Sequence, residues 1–352
     1  MMSDKAVSGS PTLEDVARAA GVSRATVSRV INGIRNVDPA IQDLVRRAVE
    51  ATGYVPNRAA RSLVTRRADS IALVLSGAGD DERDLAPDEA EGDVFTDPFF
   101  GRIASGVVGF LRPRGMHPVL MLADSADARQ QVVTHLRQGH TDGAVVVSTH
   151  AKDPLPERLA AARVPVVRFA RPPRPMPVSY VDLAHQDGAR LAADHLVARG
   201  CRHVVTIAGP LDVPASQDRL TGFRDAMARH GHPYVPTAEG NFTQDSGERA
   251  MARLLAQEPA LDGVFAANDL MAAGALHVLR EQGRDVPGQV AVVGFDDSSA
   301  ARASRPALTT VRQPVEDMAG EMARLLLDRI AAPEGRPTSV IFDPSLVVRR
   351  SA

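Results

Sequence analysis

The stretch that most constrains how this chain folds lies near its amino terminus, PTLEDVARAAGVSRATVSRVING at Pro11–Gly33. Thr12 is placed to accept from the backbone N–H groups of a first helical turn, and Asp15 three residues on completes a capping-box-like pair. Leu13, Val16, Ala17 and Ala20 then recur at the three-and-four spacing of one buried helical face. Gly21 ends the run because it takes a left-handed conformation cheaply. Ser23 can cap a second helix, Arg24–Ile31, with Val27 and Val30 inward and Arg24, Ala25, Ser28 and Arg29 outward. Two such helices joined by a short Gly-containing turn form a helix-turn-helix, whose second helix enters the major groove of DNA and reads base edges with its N-terminal residues. Asp38 and Pro39 occupy the cap and first-turn positions of a third helix through about Thr52, with Ile41, Leu44, Val45 and Val49 inward to complete a three-helix core.

Short amphipathic helices with a Gly turn also occur in small bundles unrelated to DNA, and charge separates the two cases. The first 67 residues hold eleven Lys/Arg against six Asp/Glu, whereas the remainder holds 30 against 37. A net charge near zero thus hides a basic head on an acidic body, as phosphate attraction confined to one end requires.

The body is long enough for two subdomains, and 44% hydrophobic content suits well-buried cores. From about residue 69, short β-branched runs (SIALVL, PVLML, GAVVVS, VPVVRF, HVVTIAG, GVFAA, VAVVGF) alternate with helical patterns at Ile103–Leu111, Ala126–Arg137, His185–Ala198, Gln217–His230, Ser246–Ala256, Leu270–Glu281 and Val315–Ile330. That is the rhythm of parallel α/β structure. No signal-peptide pattern or membrane-spanning apolar run is present, and the single Cys201 fits a small buried position in a reducing cytoplasm. The sequence lacks a phosphate-cradling glycine loop, a zinc pattern and a nucleophile elbow, so no catalytic residue, metal or cofactor is expected; His185, His195 and His203 read as ordinary helix and strand residues. Nine acids crowd Asp80–Asp97 beside Arg83 without the spacing of a calcium loop, which reads as a solvated insert.

TLEDVARAAGVSRATVSRVIN, followed by GYVPNRAARSLVTRRADSIALVLS, resembles the head and hinge of the LacI–GalR family of bacterial transcription regulators. HLVARGCRHVVTIAGP, DRLTGFRDAM, FAANDLMAAGAL, VAVVGFDDSSAA and PALTTVRQP extend the resemblance along nearly the whole chain. It implies a helix-turn-helix head over 1–57, a hinge over 58–68, and a periplasmic-binding-protein-like body over 69–352 made of two doubly wound parallel α/β subdomains. These would span about 69–182 with 312–339, and about 183–311 with 340–352, the chain crossing near Val181–Leu183, Thr310–Gln313 and Thr338–Ile341. Ligands in such sheets sit beyond the carboxyl ends of the strands.

By the same resemblance, Arg24 and Ala25 read bases with support from Ser28 and Arg29, while Thr12, Ser23, Thr26 and Asn32 suit phosphate contacts or caps. Leu63 would wedge into the minor groove at the operator centre, beside Asn57, Arg58 and Arg61. The implied partners are pseudo-palindromic operator DNA, a second copy of the chain, and a small polar effector between the subdomains; no membrane is involved. Arg219, Asn268 and Asp296 match effector-gripping positions of sugar-binding members, and Phe242 stands where others place a Trp. Phe99 and Phe100 match an aromatic pair near the cleft, with core packing as the alternative. Arg219 could instead pair with Asp218 or Asp212, and Asp296 could cap the following helix. The chain departs from sugar-binding members at Leu183 and Ala170 and has no Trp, so a nucleobase or a phosphorylated metabolite stands beside carbohydrate as effector class. A transport receptor or enzyme sharing the body fold is the other functional reading, disfavoured by the basic head.

Overall fold

The structure is a computed structural model that describes residues 11–33, 37–55, 67–77, 97–148 and 150–352. Asn57, Arg58, Arg61 and Leu63, and the acidic insert as far as residue 96, lie outside the described residues. The chain divides into two compact units, 1–69 and 70–352.

In the first unit, α1 (Leu13–Ala20) opens with a complete capping box: Asp15 N donates to Thr12 Oγ1 at 3.3 Å, and Thr12 N donates to Asp15 Oδ2 at 2.9 Å. Gly21 ends it at φ 65°. Ser23 Oγ accepts from Thr26 N at 3.1 Å to start α2 (Arg24–Ile31). Asp38 caps α3 (Pro39–Thr52), where proline at the first position costs nothing because its missing N–H would have had no helical partner. Val16, Ala20, Val27, Val45 and Ala48 form the buried centre, flanked by Leu13, Ala17, Val30, Ile41 and Val49. Leu44, expected inward, is 44% exposed. The three-and-four spacing from Ile41 runs to Val45 and Ala48, and Leu44 is turned about 100° from Val45 around the helix.

The second unit holds two six-stranded sheets. The first contains β1 (Ser70–Ser76), β2 (His117–Ala123), β3 (Ala144–Ser148), β4 (Val166–Phe169), β5 (Ser179–Leu183) and β11 (Ser339–Phe342), in the order β11-β5-β4-β3-β1-β2. The second contains β6 (Val204–Ala208), β7 (Thr237–Glu239), β8 (Gly263–Ala266), β9 (Ala291–Asp296), β10 (Thr309–Arg312) and β12 (Ser345–Val347), in the order β12-β10-β9-β8-β6-β7. Every pairing is parallel except β10 with β12. Strands β3, β6 and β9 are buried along their full length, which explains why they read as unbroken apolar runs rather than alternating ones.

Helices α4 (Pro98–Leu111), α5 (Ala126–Arg137), α6 (Leu155–Ala161) and α12 (Val315–Ala331) cover the first sheet. The second is covered by α7 (His185–Ala198), α8 (Pro214–Arg229), α9 (Gln244–Gln257) and α10 (Asp269–Glu281), with the short α11 (Ser299–Ala303) beside α10. Both sheets place their reversal of strand order at the first strand, so the carboxyl ends of β1 with β3 and of β6 with β8 flank the natural ligand crevices. The chain passes between sheets after β5, after β10 and after β11. The last passage follows Phe342, a few residues beyond the boundary at 339–340 expected from sequence, because β11 completes its pairing with β5 before the chain turns to β12.

Several helix pairs meet backbone to backbone. A Cβ on Gly106 of α4 would overlap the Glu316 carbonyl of α12, one on Gly222 of α8 the Gln186 carbonyl of α7, and one on Gly247 of α9 the Met271 backbone of α10. Cys201 lies just before β6, buried as expected, with its thiol pushed up to about 11 by burial and the nearby Asp262.

Candidate functional site

On the head, α2 turns Arg24, Ala25 and Arg29 to solvent, with Ser28 half-buried. Arg24 Nη1 lies 3.1 Å from Glu14 Oε1 across the turn, both side chains more than half exposed. Asn32 Nδ2 donates to Ser28 Oγ at 3.2 Å, which leaves the Ser28 hydroxyl proton for another acceptor. Thr12, Ser23 and Thr26 are committed to capping: Thr12 Oγ1 donates to Asp15 Oδ2 at 2.8 Å, and the Ser23 and Thr26 hydroxyls stand 2.9 Å apart. The outward face is therefore one arginine in a loose surface pair, a methyl group, a tethered hydroxyl and Arg29.

In the body, Arg219 of α8 is 6% exposed. Its Nε donates to His185 Nδ1 at 3.3 Å, Nη1 to the Ala267 carbonyl at 2.5 Å, and Nη2 to Gln313 Oε1 at 3.1 Å. The guanidinium lies over the Phe295 ring, 3.8 Å from its centroid, and Nη2 is 3.6 Å from Asp296 Oδ1. Neither surface alternative for Arg219 occurs: Asp218 accepts from Arg171 Nη2 at 3.1 Å and Asp212 meets His150 Nδ1 at 3.1 Å. Asp296 does not cap α11, whose cap is Ser298.

Burial dominates the electrostatics. It pushes the Asp296 carboxyl up to about 8, against the pull of Arg219, and Asp269 up to about 6 despite hydrogen bonds from Thr310 and Ser298. Asp97, the N-cap of α4, is also raised by burial. Burial lowers His185, so its ring is neutral with Nδ1 accepting from Arg219 and the Nε2 proton facing Asp182 Oδ1 at 3.5 Å. The Asp182 carboxyl is pushed up by burial but ends below its usual range because His185, Leu183 and Arg171 supply hydrogen-bond donors.

Arg219 and Asp296 thus come together as a fully buried pair. Asn268 sits beside them, but both ends of its amide are occupied: Oδ1 caps α10 through Met271 N at 2.9 Å, and Nδ2 donates to the Phe242 carbonyl at 2.8 Å. Phe242 packs its ring on Gly209. Phe99 makes edge contacts with Phe100 and with Phe169, at 5.3 and 5.2 Å between centroids. Ala170, Phe242 and Asp296 hold φ of 66°, 69° and 107°, each at or after a strand's carboxyl end, and non-glycine residues keep such strain chiefly at ligand clamps and switches.

Four residues of this neighbourhood were not singled out by sequence: Asp97, Arg102, His185 and Gln313. Arg102 of α4 donates to the carbonyls of Asp296 at 2.7 Å and Gln313 at 3.0 Å and forms a two-pronged pair with Glu316, joining the two sheets' ends. Gln313 lies in the PALTTVRQP motif and was legible there as part of a crossing.

Residues 12–57 match the model of the bacterial regulatory proteins of the lacI family, and 193–352 match a periplasmic binding protein-like domain. The chain is 46% identical over 346 residues to the HTH-type transcriptional regulator CelR of Thermobifida fusca, covering 97% of this chain and 98% of that one. It belongs to the lacI family. This lacI-family chain is also 34% identical to the HTH-type transcriptional regulator GalR of Escherichia coli over 97% of its length and 95% of GalR's. Among solved structures it resembles a transcriptional regulator CelR–cellobiose complex (TM-score 0.74, 43% identity, 97% of this chain and 100% of that one). It also resembles the Lac repressor dimer bound to operator and the anti-inducer ONPF (TM-score 0.81, 25% identity, 97% and 99%). Like its relatives, this family member is a DNA-binding transcription regulator, and the three-helix head with two doubly wound sheets is the fold expected from sequence. No helix among the described residues is long and apolar enough to cross a membrane.

Proposed function

We propose that this regulator is a homodimeric repressor, acting in the cytoplasm without enzymatic activity, that binds a pseudo-palindromic operator and is switched by a carbohydrate held between the two sheets. The observation that carries the reading is the satisfied but incomplete state of Arg219. A guanidinium has five N–H donors, and three are bound to His185, Ala267 and Gln313. Two remain for a ligand, beside an Asp296 carboxyl that holds its proton near neutrality. Groups that offer donors without a full opposing charge suit a neutral polyhydroxy molecule, whose hydroxyls both accept and donate. Phe99, Phe100 and Phe242 add ring surface, and Asn268 fixes the loop that carries Phe242. The similarity to a CelR–cellobiose complex makes cellobiose the first candidate.

On the DNA side, Arg24 and Ala25 read bases, Ser28 and Arg29 support them, and Thr12, Ser23, Thr26 and Asn32 set the register on phosphates. Asn57, Arg58, Arg61 and Leu63 act at the operator centre. The second copy docks on edge strand β2, where Leu120 and Leu122 are 49% and 42% exposed. Operator titration with and without cellobiose tests the reading: a change in operator affinity of tenfold or more, absent in Arg219→Ala, supports it. If neither cellobiose nor a panel of mono- and disaccharides moves operator affinity or melting temperature, the carbohydrate assignment fails.

A further inference from the structure

A cavity of about 260 Å³ opens in the body beyond the carboxyl ends of β3 and β4. Its wall includes two buried groups whose hydrogen bonding is incomplete. Arg168, 3% exposed, donates from Nη2 to the Ser148 carbonyl at 3.3 Å, while its Nε has no partner. Asp153, 8% exposed, accepts from Leu155 N at Oδ1 and has no partner at Oδ2. A buried donor and a buried acceptor left open on one wall ask for a group that both accepts and donates, because such atoms are nearly always satisfied in folded proteins. Lys152 and Arg174 are exposed and line the same space. With Arg168 they give three cations against Asp153 and Glu157, so the lining is net positive. Pro154, Pro156 and Pro173 stiffen the loops that carry these groups.

We propose that this cavity is a second ligand site, distinct from the Arg219 cluster, for a small phosphorylated polyol. One hydroxyl accepts from Arg168 Nε and donates to Asp153 Oδ2, and the phosphate lies against Lys152 and Arg174. The volume is below that of a site for a drug-sized ligand but is several times the space of one water molecule, which fits a ligand of about ten heavy atoms. None of the lining residues belongs to the Arg219 cluster, so mutation separates the two sites, and the proposal does not rest on the identity of the cleft effector.

The test is calorimetric titration of the full-length protein with glycerol 3-phosphate, glycerol and inorganic phosphate. Glycerol 3-phosphate is expected to bind the unmodified protein and Arg219→Ala alike, and at least tenfold more weakly to the exposed-residue double variant Lys152→Ala, Arg174→Ala. Inorganic phosphate is expected to bind at least tenfold more weakly than glycerol 3-phosphate, since it cannot bridge Arg168 and Asp153 from the rim. The proposal is overturned by no binding, by binding that disappears in Arg219→Ala but survives in the double variant, or by inorganic phosphate binding as tightly as the polyol phosphate.

Discussion

In the head, Arg24 meets Glu14 at 3.1 Å with both side chains more than half exposed; in the body, Arg219 meets Asp296 at 3.6 Å with both nearly buried. The first pair is worth at most about 1 kcal/mol, so Arg24 can leave Glu14 for a base edge at little cost. The second cannot rearrange without uncovering charge in a low-dielectric site, so a ligand must fit the guanidinium where it already stands. The contrast separates two kinds of recognition. One surface keeps its reader loosely held for a long partner with many contacts, and the other fixes its reader before a small partner arrives.

Removing the arginine from each pair is the most direct way to break that comparison. Arg219→Ala is expected to destabilise the body by about 3 kcal/mol, measured by urea denaturation, because it strands His185, Gln313 and the Ala267 carbonyl and uncovers Phe295. A loss below about 1 kcal/mol would show that the cluster is not cohesive. The pH response should sharpen the same contrast. Asp296 and Asp269 are raised above their unfolded values, so the stability they contribute is complete below about pH 4 and fades as pH rises through about 6 and then about 8. The melting temperature should therefore fall between pH 5 and 9, and Asp296→Asn should flatten the upper part of that fall. An identical slope in the variant would place the titration elsewhere.

Arg24→Ala is expected to leave folding unchanged within about 0.5 kcal/mol and to cost about 1–3 kcal/mol of discrimination at one symmetric pair of operator positions. Uniform weakening across all sequences would make Arg24 a phosphate contact. The smallest effect is expected from Thr12→Ala, about 1 kcal/mol in the stability of the head, since only the α1 cap is lost. A head whose melting is unmoved would mean that α1 is held by packing on Val16 and Ala20 rather than by its cap.

The same division governed what the sequence could convey. Helices α1, α2 and α3 begin and end where caps, proline and glycine put them, because those signals are local. Proline misled at α4 and α8, which start at Pro98 and Pro214 rather than near Ile103 and Gln217; each proline stands at the first helical position, where it starts a helix instead of breaking one. Asp97 was counted with the acidic insert although it caps α4. Arg219 and Asp296 were visible through family motifs, but their neighbours His185, Gln313 and Arg102 were not. These come from α7, the segment after β10 and α4, and only the three passages between sheets bring them to one place. No spacing along the chain encodes that meeting.

The glycines at which α4 meets α12, α7 meets α8 and α9 meets α10 have a mechanical consequence. Helices touching main chain to main chain have no long side chains between them to tilt and absorb a displacement, so each half of the body behaves as a stiff plate. Strain introduced at Arg219 cannot dissipate within a plate and must appear as rotation about the three connecting strands. Alanine at Gly106, Gly222 or Gly247 would force a plate apart and turn it into a spring, softening the mechanical link between the two sheets while leaving every polar group of the Arg219 cluster in place.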